Sequence, residues 1–146
     1  MSVELIEVRS ATQIEACFEA LHALRPHLDR STQAAQVARQ MAQGYRVLAA
    51  RRGETVEAVA GYRHAEFLAW GRIIYIDDLS TLPAARGQGL ARLLLDAIVA
   101  EARATGCAAV HLDSGYARQA AHRLYLRYGF VLSSHHFALA LDAPAA

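Results

Sequence analysis

No apolar run in the sequence approaches the roughly 20 residues a membrane-spanning helix needs, so no membrane partner is expected. Cysteine is scarce as well. Cys17 and Cys107 are two residues far apart, too few for a disulfide framework and without a recognisable nucleophile setting. Reduced thiols in the cytoplasm are the expectation. The start, Met1-Ser2-Val3-Glu4-Leu5, lacks the basic head and apolar stretch of a signal peptide. Charge of one sign is missing too: the formal net charge is +1, which argues against nucleic acid held by bulk electrostatics. No internal repeat, linker or low-complexity stretch is visible. His135 and His136 invite a metal site, but neighbours on a strand point apart and chelate poorly, so none is expected.

What is present is 146 residues with 54% apolar content, enough for one domain, 1–146, with a real core. Val3 to Val8 alternates like a strand. Ser10 opens a helix, with Gln13 three residues on as a capping box, and Pro26 closes it. A second helix is expected from Ser31 to Met41, stopped by Gly44. Tyr45 to Arg51 and Thr55 to Phe67 read as strands joined by a hairpin at Arg52-Gly53-Glu54, and Trp70-Gly71 turns into a strand from Arg72 to Leu82. Leu90, Leu93, Leu94, Ala97, Ile98 and Ala102 form one helical face ended by Gly106. Ala108 to Leu112 is expected as a short buried strand, Ala117 to Tyr128 as a helix closed by Gly129, and Phe130 to Leu141 as a last strand or pair of strands. The Pro144-Ala145-Ala146 tail is expected to fray. The fold class predicted is α/β of the α+β type: a mixed, mostly antiparallel central sheet with helices on both faces and one strand-helix-strand crossover.

The densest signal is the stretch from Leu82 to Leu95. A β-rich run stops at Pro83, a turn with Gly87 and Gly89 follows, and an amphipathic helix begins. A helix N-terminus offers unpaired N–H groups and the positive end of a dipole, suited to a phosphate. The two glycines let backbone approach it closely. No Gly-Lys-Ser/Thr follows, so this is not a Walker A loop. The spacing R-x-x-G-x-A at Arg86, Gly89 and Ala91 resembles the pyrophosphate motif of GCN5-related N-acetyltransferases. Ala121 to Phe130 resembles the same family's A-x-x-x-Y-x-x-x-G-F segment. With the element order, the resemblance spans nearly the whole chain.

The resemblance implies a sheet with two splayed central strands, acetyl-coenzyme A as acetyl donor and an amine as acceptor. Carried over by position, the backbone of Arg86, Gly87, Gln88, Gly89, Leu90 and Ala91 would hold the cofactor pyrophosphate. Leu79, Ser80 and Thr81 would pair with the peptide-like pantetheine arm by β-addition. Ala108 to Asp113 would be the other splayed strand. Tyr125 would be the general acid for the departing thiolate, the alternative being a ring packed in the core. The sequence departs from the family pattern at Arg118, where asparagine is frequent, at Ala85, where an aromatic is frequent, and at Leu124, in place of a phenylalanine. Arg118 suits a cofactor phosphate or a solvated position. His122, one turn before Tyr125, suits a cofactor contact, a proton relay or a structural hydrogen bond. The string Arg118-Gln119-Ala120-Ala121-His122-Arg123-Leu124-Tyr125, with Ser134-His135-His136-Phe137, is similar to a subset that acetylates aminoalkylphosphonates and related small amines.

The acceptor amine must be neutral to attack, so a base is needed. Asp77 and Asp78 lie on the expected central strand, just before the pantetheine segment. Strand alternation sends only one towards the acceptor. Counting from Thr81 puts Asp77 and Leu79 on its face and Asp78 on the other, and a bulge would invert this, so the choice between the two stays open. Asp113 and Ser114 are weaker candidates. The acceptor site would be bounded by Leu24 to Arg30 and by Tyr62, His64, Phe67 and Trp70, with Arg25, His27, Arg30 and His64 available to an anion. The expected function is N-acetylation of a small-molecule primary amine. A protein acetyltransferase for lysine or N-terminal amines and a non-catalytic acetyl-coenzyme A sensor are the alternatives. A homodimer is compatible with the sequence.

Overall fold

The computed structural model describes residues 2–142, so the Pro144–Ala146 tail lies outside the described residues. The elements run β1 (Val3–Glu7), α1 (Ala11–Ala16), α2 (Phe18–Leu24), α3 (Arg30–Ala42), β2 (Arg46–Arg52), β3 (Thr55–Phe67), β4 (Gly71–Thr81), α4 (Leu90–Ala104), β5 (Ala109–Leu112) and α5 (Gln119–Tyr128). The chain separates into two compact units, Met1–Leu112 and Asp113–Ala146. Among the described residues no helix is long and apolar enough to cross a membrane.

Local chemistry sets the helix starts. Ser10 caps α1 with the reciprocal bonds of a capping box to Gln13. The single helix expected from Ser10 to Pro26 is in fact two, because the chain tightens at Cys17, whose N–H bonds Ile14 O at 3.1 Å. Asp29 caps α3 by accepting from the Ser31 N–H at 2.8 Å.

In the first unit the sheet order is β1-β2-β3-β4-β5. The first three pairings are antiparallel, and β4 and β5 run parallel across the α4 crossover. Alternation along β2 separates the two faces. Val47 and Ala49 join Ile14, Cys17, Leu21 and Val37 in the core under α1–α3. Arg46, one residue away, reaches Glu101 of α4 at 2.8 Å. The buried stripe of α4 is Leu90, Leu94, Leu95, Ile98 and Ala102. Leu93, expected on that stripe, is 38% exposed and Leu95 takes its place. The stripe centres on Leu94 and Ile98, and Leu95 lies nearer that centre than Leu93 does. β5, expected to be buried, is a half-buried edge strand instead.

The second unit holds α5, closed by Gly129 at φ 120°. Phe130 to Leu141, expected to be a strand or pair of strands, forms none among the described residues. A strand exists only where its backbone groups meet a neighbour, and no other strand lies in this unit. Val131, Leu132, Phe137 and Leu139 are accordingly exposed.

Candidate active site

The register between β3 and β4 decides the site. Gly61 lies opposite Asp78, and the next pair is Tyr62 with Ile76, so Asp77 is an extra residue on β4. This is a β-bulge, which bends the strand and re-aims its side chains. β5 pairs with β4 only from Ile73 to Ile76. Beyond it, Asp78–Thr81 keeps its β3 partners on one side and, among the described residues, has no strand partner on the other, a free edge. The free edge reaches Leu79, Ser80 and Thr81, opposite Ala60, Val59 and Ala58.

The strand ends in a 3-10 turn at Pro83–Ala85, and the loop 86–89 leads into α4. Gly87 and Gly89 hold φ 79° and 78°, the left-handed region that a side chain disfavours. A Cβ at either would meet open space, so the loop is open on that side. Gly89 is the N-cap and brings no side-chain acceptor, which leaves the first-turn N–H groups of α4 to a ligand. Gln88 is braced by Arg52, whose Nη2 donates to its Oε1 at 2.9 Å. A free strand edge running into a glycine-opened helix N-terminus fits a pantetheine arm followed by a pyrophosphate.

Beside this edge lies a cavity of about 460 Å³ between α2, α3 and β4. Because of the bulge, Asp77 and Asp78 both line it, where plain alternation would have sent one away. Each carboxylate is held. Arg63 binds Asp77 through Nε at 3.1 Å and Nη2 at 2.5 Å. Asp78 accepts from Arg25 Nε at 3.0 Å and from the Tyr45 hydroxyl at 2.7 Å. Arg25 Nη2 also donates to the Asp77 carbonyl at 3.0 Å, tying the end of α2 to the bulge. Burial first, then the charge and hydrogen bond of Asp78, push the Tyr45 phenol far up, so Tyr45 acts as a permanent donor.

In the second unit, Tyr125 is buried on α5 with its ring edge-on to Phe130 at 5.7 Å. Burial raises its pKa, opposed by the charge and a hydrogen bond of Arg118. The phenol therefore stays protonated at neutral pH, as a proton donor must. Arg118 is the N-cap of α5 and His122 lies a turn further on, half-buried.

The model of the acetyltransferase (GNAT) family matches residues 12–130, across both units. The chain belongs to the GNAT acetyltransferase family. It is 36% identical over 96 residues to an aminoalkylphosphonate N-acetyltransferase of Salmonella typhimurium, covering 64% of this chain and 61% of that protein. The chain thus matches less than two thirds of that relative's length. It is 31% identical over 96 residues to the uncharacterized N-acetyltransferase YhdJ of Bacillus subtilis, covering 65% of this chain and 68% of the relative. Among solved structures, the aminoglycoside N-acetyltransferase AAC(6')-Iy in complex with CoA superposes with a TM-score of 0.83 at 14% identity, covering 97% and 96% of the two chains. That likeness is one of fold.

Within this GNAT chain, Arg25 and His27 line the cavity as expected. Leu28 lines it as well, whereas Arg30, Tyr62, His64, Phe67 and Trp70 do not. Arg30 pairs with Glu15 and Glu19 and lies over the Phe18 ring. Tyr62 and His64 bond Glu101 of α4, on the opposite face of the sheet. Phe67 and Trp70 pack together, with Trp70 stacked on His111 at 4.3 Å. Asp113 belongs to the second unit, within 3.6 Å of His136. Tyr45, Arg63, Tyr75 and Gln33 were not singled out from sequence. Tyr45 and Arg63 were legible only as strand residues, and no motif marks them.

Proposed function

We propose that this chain transfers an acetyl group from acetyl-coenzyme A to the primary amine of a small molecule. The thioester supplies an activated acetyl group. The free edge of Leu79–Thr81 would bind the pantetheine arm through backbone hydrogen bonds. The N–H groups from Arg86 to Ala91 would hold the pyrophosphate, with Arg118 and His122 as further cofactor contacts. Asp77 and Asp78 would orient the acceptor ammonium and take its proton, directly or through water, leaving a neutral nucleophile. Tyr125 would give a proton to the departing thiol.

The observation that carries this reading is the free β4 edge running into the loop at Gly87 and Gly89. A cavity of about 460 Å³ lies in the size range of small-ligand pockets, which favours a small acceptor over a protein. The relative named for aminoalkylphosphonate acetylation supports the same class. One family model across residues 12–130 supports a single functional domain. The free thiols of Cys17 and Cys107 fit the reducing cytoplasm. The exposed apolar residues Val131, Leu132, Phe137 and Leu139 support a homodimer, which light scattering tests.

Calorimetry with coenzyme A tests the cofactor assignment. Gly89→Leu forces a side chain into φ 78° and projects it into the open space of the loop, so binding should fall at least about tenfold. Unchanged affinity in that variant would remove the pyrophosphate from this loop.

A further inference from the structure

The α3 wall of the cavity is made of Val37 and three glutamines. Gln33, Gln36 and Gln40 all line it, on the i, i+3, i+7 spacing that places them on one helix face. Gln36 Nε2 donates to Gln40 Oε1 at 3.1 Å, and both side chains lie on the more open part of the helix. Gln33 differs. It is 1% exposed, and neither its amide nitrogen nor its amide oxygen has a hydrogen-bond partner. A buried amide with both atoms unmet is costly, and a leucine or methionine would fill the same volume without that cost. A primary amide in a ligand cavity is satisfied by a group that both donates and accepts.

The charges of the lining narrow that group further. Asp78 has Arg25 and Asp77 has Arg63 as guanidinium partners. The other basic side chain of the lining, His27, is solvent-exposed. Among the described lining residues no guanidinium is without a carboxylate partner, so none is left over to neutralise a phosphonate or carboxylate tail. A pure anion would also leave the Gln33 oxygen without a donor.

We propose that Gln33 reads the tail of the acceptor, and that this tail is a neutral hydroxyl or amide group rather than an anion. The proposal rests on the acetyltransferase reading of the same cavity. The amine would lie towards the Asp77 and Asp78 wall, and its hydroxyl would donate to Gln33 Oε1 and accept from Nε2.

The test is steady-state acetylation of three matched amines, aminopropanol, butylamine and aminopropylphosphonate, by wild type and by Gln33→Met. In wild type, kcat/KM for aminopropanol should exceed that for butylamine about tenfold, the worth of one well-made hydrogen bond, and should also exceed that for the phosphonate. Gln33→Met should lose the preference, with KM for aminopropanol rising about tenfold and kcat holding, while the melting temperature does not fall. Equal KM values for aminopropanol and butylamine in wild type would overturn the proposal, and that comparison stands even if the variant does not fold. An unchanged KM in a folded Gln33→Met would return Gln33 to an internal structural role. A preference for aminopropylphosphonate would replace the neutral tail by an anionic one. Wild type that releases thiol with none of these or any other amine would overturn the acetyltransferase reading itself, and this proposal with it.

Discussion

Gly61→Ala should cost stability and catalysis together, through Tyr45. Gly61 is buried and its φ is not positive, so it is required by space and not by conformation. A Cβ there would overlap the Tyr45 hydroxyl and Cζ and lie 2.6 Å from Cε1. The ring must move, and the 2.7 Å bond from Tyr45 to Asp78 breaks with it. Overpacking a tight interior costs about 1–3 kcal/mol, and losing a hydrogen bond to a charged group about 1.5–3 kcal/mol. A loss of about 3–5 kcal/mol follows. For a chain of this size that is a drop in melting temperature of about 10–15 °C. Differential scanning calorimetry measures it, with acetylation rates taken well below the new transition. Tyr45→Phe, which removes only the bond, should cost about half as much. The double variant Gly61→Ala with Tyr45→Ala should be less destabilised than the sum of its parts, because the new methyl enters the space the ring has left. A Gly61→Ala protein melting within about 2 °C of wild type would refute the packing argument. So would full additivity in the double variant.

Three further outcomes follow from the same geometry. Tyr125→Phe keeps the ring that packs on Phe130 and removes the proton donor, so kcat should fall about 100-fold while coenzyme A affinity holds; wild-type turnover would leave Tyr125 a packing residue. Of Asp77→Asn and Asp78→Asn, at least one should lose turnover at pH 7 and regain it as pH rises towards the pKa of the amine; full activity in both would move the base elsewhere. Burial pushes the Cys17 thiol up to about 11 from an ordinary 9.0, so the folded state resists deprotonation that the unfolded chain accepts. That contribution is intact below about pH 9 and is lost as pH climbs towards 11. It is worth at most about 3 kcal/mol, and Cys17→Ala should remove this part of the alkaline loss in urea melts at several pH values.

Much of this was legible in the sequence where local chemistry decides. The capping box at Ser10 and Gln13, the Arg52-Gly53-Glu54 turn and the glycine loop ahead of α4 all rest on residues near one another in the chain. The bulge at Asp77 was not legible, because it depends on how β3 and β4 are registered, and a one-residue shift leaves no mark in either strand. The pairing of Arg63 with Asp77 spans the same register, and that of Tyr45 with Asp78 joins the residue before β2 to β4; both depend on how distant segments meet and were missed for that reason. The strand or pair of strands expected from Phe130 to Leu141 is absent among the described residues, because a strand needs a partner that the segment's own residues do not reveal. The orphaned amide of Gln33 could not be seen either, since a glutamine in a helix reads as solvent-facing until the neighbouring elements bury it.

The central claim is acetyl transfer to a small amine, and mass spectrometry of the products tests it most directly. The wild-type chain would be incubated with acetyl-coenzyme A and a panel of primary amines that includes amino alcohols, amino sugars, aminoalkylphosphonates and a lysine peptide. The account predicts one acetyl group added to small amines at a rate matching thiol release, with the peptide far slower. Acetylation of the peptide alone, or thiol release with no acetylated amine, would contradict it.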